Sequence, residues 1–287
     1  MRGKSGVAEG PTLTTILADL ELARRLEEAE AYAAEAYVRQ CARRRPGADV
    51  VVEEVAGGRA IFAGAGSPLS ESKAIGLHGP VTEADLDRME AVFFARGEPS
   101  RVVVCPLADP SLIEGLGRRG YRLSRFENLL SVPLGRDDPE PPPTPGIEVR
   151  PAEAGEADLY ARVVAPNFVG PGESIEDVLE MMAVTLEMEN VSCLLALIDG
   201  EPVGGGAVLM HRGLALLAGA ATLPPYRRRG VHAALHHARL ALARRAGCDL
   251  AAQGALPGST SQRNAERRGL RVAYTRAVLV REPAGST

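Results

Sequence analysis

The sequence contains no tryptophan, and aromatic residues make up only 4 % of its 287 residues. Proteins that hold single-stranded nucleic acid stack the bases on aromatic side chains, so this scarcity argues against that class. An excess of positive charge is also lacking, because 33 Lys and Arg stand against 37 Asp and Glu, a formal net charge of −4. A mildly acidic chain is poorly suited to bind nucleic acid or an anionic membrane surface.

Cysteine is scarce and scattered, and long hydrophobic runs are missing. The four cysteines, Cys41, Cys105, Cys193 and Cys248, form no Cys-x-x-Cys pair, which argues against a zinc framework or a disulfide scaffold. The longest apolar run, residues 214–223, has about half the length that a membrane helix needs. Residues 1–12 carry charge but no apolar segment, so we expect no signal peptide. These features predict a cytoplasmic protein with reduced thiols and no bound metal.

Proline concentrates near the middle of the chain. Residues 136–146 read RDDPEPPPTPG and include five prolines. Proline has no amide donor and a fixed φ, so this stretch should form an extended linker rather than a helix or a central strand. The length of the chain also favours about two domains. We therefore predict a first domain over 1–135, a linker over 136–146 and a second domain over 147–287.

The two halves resemble each other when one is shifted by 149 residues. This offset places the sequence RRGYRL at 118–123 over RRGLRV at 267–272. In both halves the predicted order is helix, short buried strand, Pro-containing loop, short helix, RRG turn and strand. The shared order favours a duplicated domain. A long amphipathic helix over about 15–44 precedes the first repeat, and its terminal Arg43, Arg44 and Arg45 suit a helix C-terminus.

The second half has the pattern β-α-α-β-β-β-α-β-α-β, with a basic loop between a strand over 214–222 and a helix over about 230–245. The first amides of a helix are unpaired and its dipole favours negative charge, so this loop predicts an anion site. Gly230 allows close approach of a phosphate, and Arg227, Arg228 and Arg229 add positive charge.

With these elements in this order, the second half resembles the GCN5-related N-acetyltransferase (GNAT) superfamily over about 147–282. The family's acyl-CoA signature, Arg/Gln-x-x-Gly-x-Gly/Ala, corresponds to residues 227–232, RRRGVH. Residues 259–270, STSQRNAERRGL, are similar to the family's fourth helix and the step after it. The resemblance implies an α/β (α+β) fold of two GNAT-like lobes, each a mixed central sheet flanked by helices, after the long N-terminal helix.

The resemblance also implies which residues contact acetyl-CoA. The implied set is Ala221, Thr222, Leu223, Arg227, Arg228, Arg229, Gly230, Val231, His232, Ser261 and Asn264. Amides of 229–232 would cradle the pyrophosphate, the backbone of 221–223 would pair with the pantetheine arm, and Ser261 and Asn264 would lie near the thioester. Gly219 is expected to mark the bulge that splays the central strands.

The sequence departs from the family pattern at the acid and the base. Where many members place a general-acid tyrosine, this chain has Ala265, so Tyr274, five residues after Gly269, becomes the candidate acid, and Asn264 is a further candidate catalytic residue. The alternative for Tyr274 is a half-buried tyrosine of the last strand without a catalytic role. No Glu lies on 214–222. A water or the Tyr226 hydroxyl could then act as the base. Alternatively, the substrate amine arrives deprotonated and needs no base for its activation. His232 replaces Gly or Ala and is expected to be tolerated without a catalytic role.

The first half lacks the anion loop. Before its long helix, Thr82 is a predicted N-cap with Asp85 at the capping-box position, and Glu83 adds negative charge. This arrangement would repel a pyrophosphate, so the first half is expected to be a degenerate lobe that buries surface, shapes the acceptor cleft or holds a partner. The resulting hypothesis is an acetyl-CoA-dependent N-acetyltransferase that acts on a small-molecule or peptide amine, as a monomer or homodimer. The alternative is a GNAT-fold CoA-binding or interaction module without activity.

Overall fold

The computed structural model describes residues 18–136, 138–139, 142–170 and 174–285. Its α-helices are α1 (Leu20–Arg44), α2 (Glu83–Phe94), α3 (Pro110–Arg118), α4 (Ala157–Val164), α5 (Ile175–Leu186), α6 (Val231–Arg245) and α7 (Thr260–Glu266). Its strands are β1 (Val51–Val55), β2 (Gly58–Phe62), β3 (Ser72–Lys73), β4 (Ser100–Val104), β5 (Arg122–Pro133), β6 (Glu148–Pro151), β7 (Val191–Ile198), β8 (Glu201–His211), β9 (Leu214–Thr222), β10 (Leu250–Ala255) and β11 (Arg271–Arg281). Positions 15–17 of the predicted first helix and positions 137, 140 and 141 of the predicted linker lie outside the described residues.

The described strands form one mixed sheet in the order β1-β2-β3-β4-β11-β5-β10-β9-β8-β7-β6. The last strand of each half pairs within the other half: β5 runs antiparallel to β10, and β11 runs antiparallel to β4. The two exchanged strands also pair with each other along most of their length, from Arg122 opposite Val280 to Ser131 opposite Arg271. The halves are therefore joined through a continuous hydrogen-bonded sheet.

The internal repeat predicted from the sequence is confirmed by the positions of the elements. The offset of 149 carries β5, which begins at Arg122, onto β11, which begins at Arg271. The same offset carries α3 onto α7 and α2 onto α6 to within one residue at their starts. The predicted mixed sheet with flanking helices is likewise present, and the strands of both halves belong to it.

Alternating residues of the strands pack against two helical layers. On β8, Leu209 belongs to the cluster under α1, whereas its neighbour Val208 packs with Leu240 of α6. On β5, Leu129 lies under α1 and Leu130 packs with Ala265 of α7. This alternation is the period of two of a β-strand. Helices α1, α4 and α5 thus cover one face of the sheet, and α2, α3, α6 and α7 cover the other.

Arginines at the C-terminal end of α1 form salt bridges with glutamates of α5 and of the residues that follow it. Arg43 pairs with Glu189, Arg44 pairs with Glu187, and Arg45 pairs with Glu180. These arginines therefore serve the packing of two helices, as their helix-terminal position suggested. The apolar stripe of α1, built from small residues such as Ala23, Ala29 and Ala31, lies buried on the sheet.

Candidate active site

The central strands separate near their ends and leave a cleft between β9 and β10. They pair in parallel only where Leu214–Leu216 lies beside Leu250–Ala252. Further along, Gly219 has φ +57, and the residues between Ala218 and Ala221 lie opposite Gly206 alone. Two residues opposite one define a β-bulge, so the bulge predicted at Gly219 is confirmed. The edge of β9 from Leu217 onward consequently faces the cleft instead of β10.

Three consecutive glycines of β8 let helices approach both faces of the sheet beside this cleft. A Cβ atom on Gly204 would lie 2.7 Å from Val231 Cγ1 of α6, and one on Gly205 would lie 2.7 Å from Val164 Cγ2 of α4. Real Cβ atoms do not fit at such distances, so only glycine allows this packing. The sequence GGG thereby places the first turn of α6 at the open end of the cleft.

The loop before α6 turns sharply and leaves its amides unpaired. Arg228 and Gly230 have φ of +65 and +91, in the left-handed region, which aims successive amides in one direction. Gly230 is the N-cap, has no side chain to cap the helix, and is followed by no acidic residue in the first turn. Among the described residues, no acceptor is found for the backbone N–H groups of 228–233. A helix N-terminus in this state attracts an anion.

The equivalent helix of the first half is capped by its own side chains. Asp85 N–H donates to Thr82 Oγ1 at 3.2 Å, and Thr82 N–H donates to Asp85 Oδ2 at 3.0 Å. This is the predicted capping box, and Glu83 and Asp85 give the first turn negative charge. Thus α2 and α6 differ most where an anion would bind.

A cavity of about 1100 Å³ runs from the loop before α6 through the cleft to the junction of the two halves. Nine of the residues implied by the resemblance line it: Ala221, Thr222, Arg227, Arg228, Gly230, Val231, His232, Ser261 and Asn264. Arg227 braces the loop, because its Nη2 donates to Asn167 Oδ1 at 2.8 Å. The structure therefore brings most of the implied residues to one cavity.

Leu223, Arg229 and Tyr274 are not among the lining residues. The Leu223 N–H donates to Val203 O at 2.9 Å, so its amide is already occupied. The guanidinium of Arg229 lies over the Tyr226 ring, 5.5 Å from its centroid, and leaves only its backbone to the loop. These contacts disfavour a side-chain role for Arg229 and a strand-like amide contact from Leu223.

Tyr274 is buried away from the cleft, under α1. Its hydroxyl donates to Glu27 Oε1 at 2.9 Å. Burial, followed by the charge of Glu27, raises the pKa of Tyr274 far above its ordinary value. A phenol that already donates its proton in a hydrogen bond to a buried carboxylate is a poor proton donor to a thiolate in the cavity. The structure therefore does not support the acid role that was predicted for Tyr274 from the sequence. Asn264 does line the cavity.

Several charged residues of the cavity were not predicted from the sequence. Arg239 of α6 is 2 % exposed and lines the cavity. Its Nη1 donates at 3.3 Å to Ala207 O and to Ala218 O, at the bulge. Burial lowers the pKa of Arg239 to about 10. Because this value is still well above 7, Arg239 remains charged at neutral pH. An arginine within an otherwise apolar stretch of α6 was the available signal.

Further charge lies at both ends of the cavity. Arg267 and Arg268 line it near α7, beside the loop before α6. Glu30, Glu71, Lys73, Arg125, Glu127 and Arg276 line its inner end. The inner group comes from both halves of the chain, which no local sequence motif indicates.

Two histidines of α6, His232 and His236, are neutral at physiological pH. Burial, with the nearby Arg268 and Arg239, lowers the pKa of His232 to about 4, and burial with Arg239 lowers that of His236 to about 2. A neutral imidazole at 232 adds no charge to the cavity, in keeping with the non-catalytic role expected for it. Within the described ranges no group of His, Cys, Asp and Glu is arranged to hold a metal ion, and no helix is both long and apolar enough to span a membrane.

Comparisons with known proteins agree with this architecture. Residues 163–270 match the model of the Acetyltransferase (GNAT) family. A GCN5-related N-acetyltransferase from Kribbella flavida superposes with a TM-score of 0.64 at 22 % identity, covering 92 % of this chain and 96 % of its own. A tandem GNAT protein from the clavulanic acid biosynthesis pathway gives 0.62 at 14 % identity, covering 95 % and 98 %. Such likenesses establish the fold. None of the curated proteins matches the chain.

Proposed function

We propose that this chain, which belongs to the GNAT superfamily, transfers an acetyl group from acetyl-CoA to an amine acceptor. The observation that carries the proposal is the uncapped, basic N-terminus of α6, which opens into a cavity continuous with the splayed strands. An anion site next to an open strand edge matches two parts of coenzyme A, the pyrophosphate and the amide-bearing pantetheine arm.

The pyrophosphate would bind the amides that begin α6. Within the described ranges the N–H groups of 229–232 have no acceptor, and Arg228, Arg267 and Arg268 supply positive charge around them. Hydrogen bonds between amides and a charged phosphate are among the stronger protein interactions. Two groups of the cavity wall, Thr222 Oγ1 and Asn167 Nδ2, are buried and have no partner among the residues that the structure describes, so they are available to the ligand.

The pantetheine arm would continue along β9. Beyond Leu216 the strand edge facing β10 is open, so the amides of the arm can add to it as an extra strand. This places the thioester near the bulge at Gly219. The neutral acceptor nitrogen then attacks the thioester carbon, the C–S bond breaks with its electron pair on sulfur, and the proton lost by the nitrogen passes through water to the thiolate, which leaves as CoA thiol.

Positioning would supply much of the rate enhancement. Holding the amine and the thioester together in one cavity replaces a bimolecular encounter by an effectively unimolecular step. The positive charge of Arg239 stabilises negative charge that develops close to the bulge. No side chain is assigned as the base, and the departing thiolate is stabilised by this positive environment without Tyr274.

A non-catalytic CoA-binding module is the second candidate function. The buried position of Tyr274 and the absence of a carboxylate on β9 favour it. The two functions predict the same acetyl-CoA binding and differ only in turnover. Release of CoA thiol in the presence of a panel of primary amines therefore separates them.

The proposal is tested by copying the first half's acidic first turn into the second half. Ala233 lines the cavity at the third position of α6, where α2 has Asp85. Ala233→Glu should weaken acetyl-CoA binding by about tenfold to hundredfold, because the carboxylate repels the phosphate and competes for its amides. Acidic side chains in the first turn of a helix stabilise it, so the variant should still fold.

Ala233→Gln has the same length without the charge and is the matched control. It should change the affinity and the acetylation rate by less than about threefold. Equal behaviour of the Glu and Gln variants in acetyl-CoA titration would contradict the assignment of the site to α6. A more direct substitution, Gly230→Glu, is less clean, since a Cβ there would lie 3.2 Å from Thr144 Cγ2 and φ is positive.

A further inference from the structure

The cavity extends past the site proposed for acetyl-CoA and ends among charged side chains of both halves. Glu30 comes from α1, Glu71 and Lys73 come from β3 and the residue before it, and Arg125 and Glu127 come from the exchanged strand β5. Helix α1 covers the sheet face opposite to α6. A ligand that reaches through the cleft from the first turn of α6 therefore arrives at these residues.

The side chains at the inner end form one connected ion network. Arg276 of β11 is 2 % exposed and donates to Glu27, Glu30 and Glu127, at distances between 2.9 and 3.2 Å. Arg125 joins Glu127 to Glu71, and Lys73 pairs with Glu71. The members are the carboxylates Glu27, Glu30, Glu71 and Glu127 and the cations Lys73, Arg125 and Arg276. Glu27 does not line the cavity, and both of its oxygens accept hydrogen bonds, from Tyr274 and Arg276. Three carboxylates and three cations of the network therefore line this end of the cavity.

One carboxylate oxygen of the network is open. The four carboxylates have eight oxygens, and seven of them accept a hydrogen bond from Tyr274, Lys73, Arg125 or Arg276. Within the part of the chain that the structure describes, Glu30 Oε1 has no such donor. Burial would raise the pKa of Glu30, but the charges of Arg276 and Lys73 outweigh it and lower the pKa to about 2. The carboxylate is thus ionised, and its side chain is only 14 % exposed.

Gly254 leaves the approach to this oxygen free. A Cβ on Gly254 would lie 3.5 Å from Glu30 Oε1. Gly254 belongs to the part of β10 that lies beyond the last pair with β9, so the oxygen faces the opening between the separated strands. Gly254 is exposed, and both Gly254 and Glu30 line the cavity, so the oxygen can be reached from the cavity.

We propose that the acceptor carries an ammonium group besides the amine that is acetylated, and that Glu30 Oε1 binds this ammonium group at the inner end of the cavity. The inference rests on the proposed acetyl transfer and adds to it the charge class of the acceptor and the residue that recognises it. The first half then has a definite task, since α1, β3 and β5 build the acceptor end while α6 holds the co-substrate. Because Glu30 holds a proton so weakly, it acts in binding and not as the base.

The test uses two series of CoA thioethers, so that the natural acceptor need not be known. S-aminoalkyl-CoA compounds with two to five carbons carry an ammonium beyond the sulfur, and S-alkyl-CoA compounds with a terminal methyl in place of the ammonium are their neutral partners. Calorimetric titration of the full chain should show the ammonium compound binding about tenfold more tightly than its partner at one or more of these lengths.

The preference for the ammonium compound should disappear in Glu30→Gln. The matched control is Glu35→Gln, which removes a buried carboxylate of the same helix that pairs with Arg39 and Arg59 away from the cavity. Gly254→Val blocks the approach to Glu30 Oε1 without removing a charge, so it should also abolish the preference for the ammonium compound. This second variant keeps the proposal testable if Glu30→Gln does not fold.

The outcomes separate the two proposals. Equal affinity of wild type for both series, or a preference that persists in Glu30→Gln and Gly254→Val, would overturn the acceptor assignment while leaving acetyl transfer in place. Failure of wild type to bind CoA or either series would overturn both. A preference lost in the Glu30 and Gly254 variants and kept in Glu35→Gln is the result that supports the inference.

Discussion

At the scale of single residues, the buried guanidinium of Arg239 contacts the bulge directly. It donates to the carbonyl of Ala218, and the N–H on the opposite side of that trans peptide belongs to Gly219. A cation bound to the carbonyl strengthens the opposite N–H as a donor. The amide of Gly219 is thereby suited to meet negative charge that develops in the cleft.

Arg239→Met should therefore lower kcat by about tenfold or more and leave the affinity for acetyl-CoA within about threefold. Arg239→Lys keeps a cation and should recover part of the rate. Steady-state kinetics and calorimetry on both variants make the comparison, with thermal melting to follow folding. An unchanged kcat in Arg239→Met would show that the buried cation serves the fold alone.

His236 gives a pH-dependent contribution to stability. It is 1 % exposed, and burial with Arg239 lowers its pKa to about 2. The unfolded chain binds a proton at this residue below about pH 6.5 while the folded chain does not, so the free energy of unfolding falls as the pH drops below that value.

Replacing this histidine should flatten the decline. Between pH 6 and 5, His236→Gln should lose less stability than wild type, by about 1 kcal/mol per pH unit. Urea denaturation at the two pH values measures the difference. Parallel declines in wild type and variant would mean that another group controls the acid sensitivity.

At the scale of elements, much of the fold could be predicted because local patterns determine it. The strand at 214–222 was predicted with the observed bounds. The Asp-Gly pair at 199–200 is a local hairpin signal, and both residues have the positive φ that such a turn requires. The capping of α2 and its absence in α6 also follow from a few adjacent residues. The phosphate end of the site was accessible to sequence reasoning for this reason.

The catalytic end was not accessible in the same way, because its contacts are distant in the chain. The partner of Tyr274 is Glu27, 247 residues away, and nothing local to Tyr274 indicates that its hydroxyl is engaged. Arg276 likewise meets Glu30 across 246 residues. A strand pattern tells which residues share a face but not which helix covers that face.

At the scale of the whole molecule, the exchanged strands make the halves interdependent. The proline-rich segment was predicted to separate two domains, at 136–146, and that boundary remains a proposal about the chain. In the sheet, however, β10 pairs with β5 of the first half and β11 with β4 of the first half. A repeat alone cannot predict this exchange, because the last strands of the two halves have equivalent patterns.

Residues 142–287 expressed alone should consequently fail to unfold cooperatively. Removal of the first half leaves β10 and β11 without the strand between them and uncovers the apolar residues under α1. Circular dichroism during thermal denaturation tests this, with the intact chain as the control. A cooperative transition of the fragment, with acetyl-CoA binding equal to that of the full chain, would contradict the interdependence.

The central claim is that only the second half binds the co-substrate, and the stoichiometry of acetyl-CoA binding to the full chain tests it most directly. Calorimetric titration should give one site per chain, since α2 is capped by Thr82 and Asp85 while α6 is open. Two sites would contradict the reading of α2 as closed, and no binding would contradict the proposed function itself.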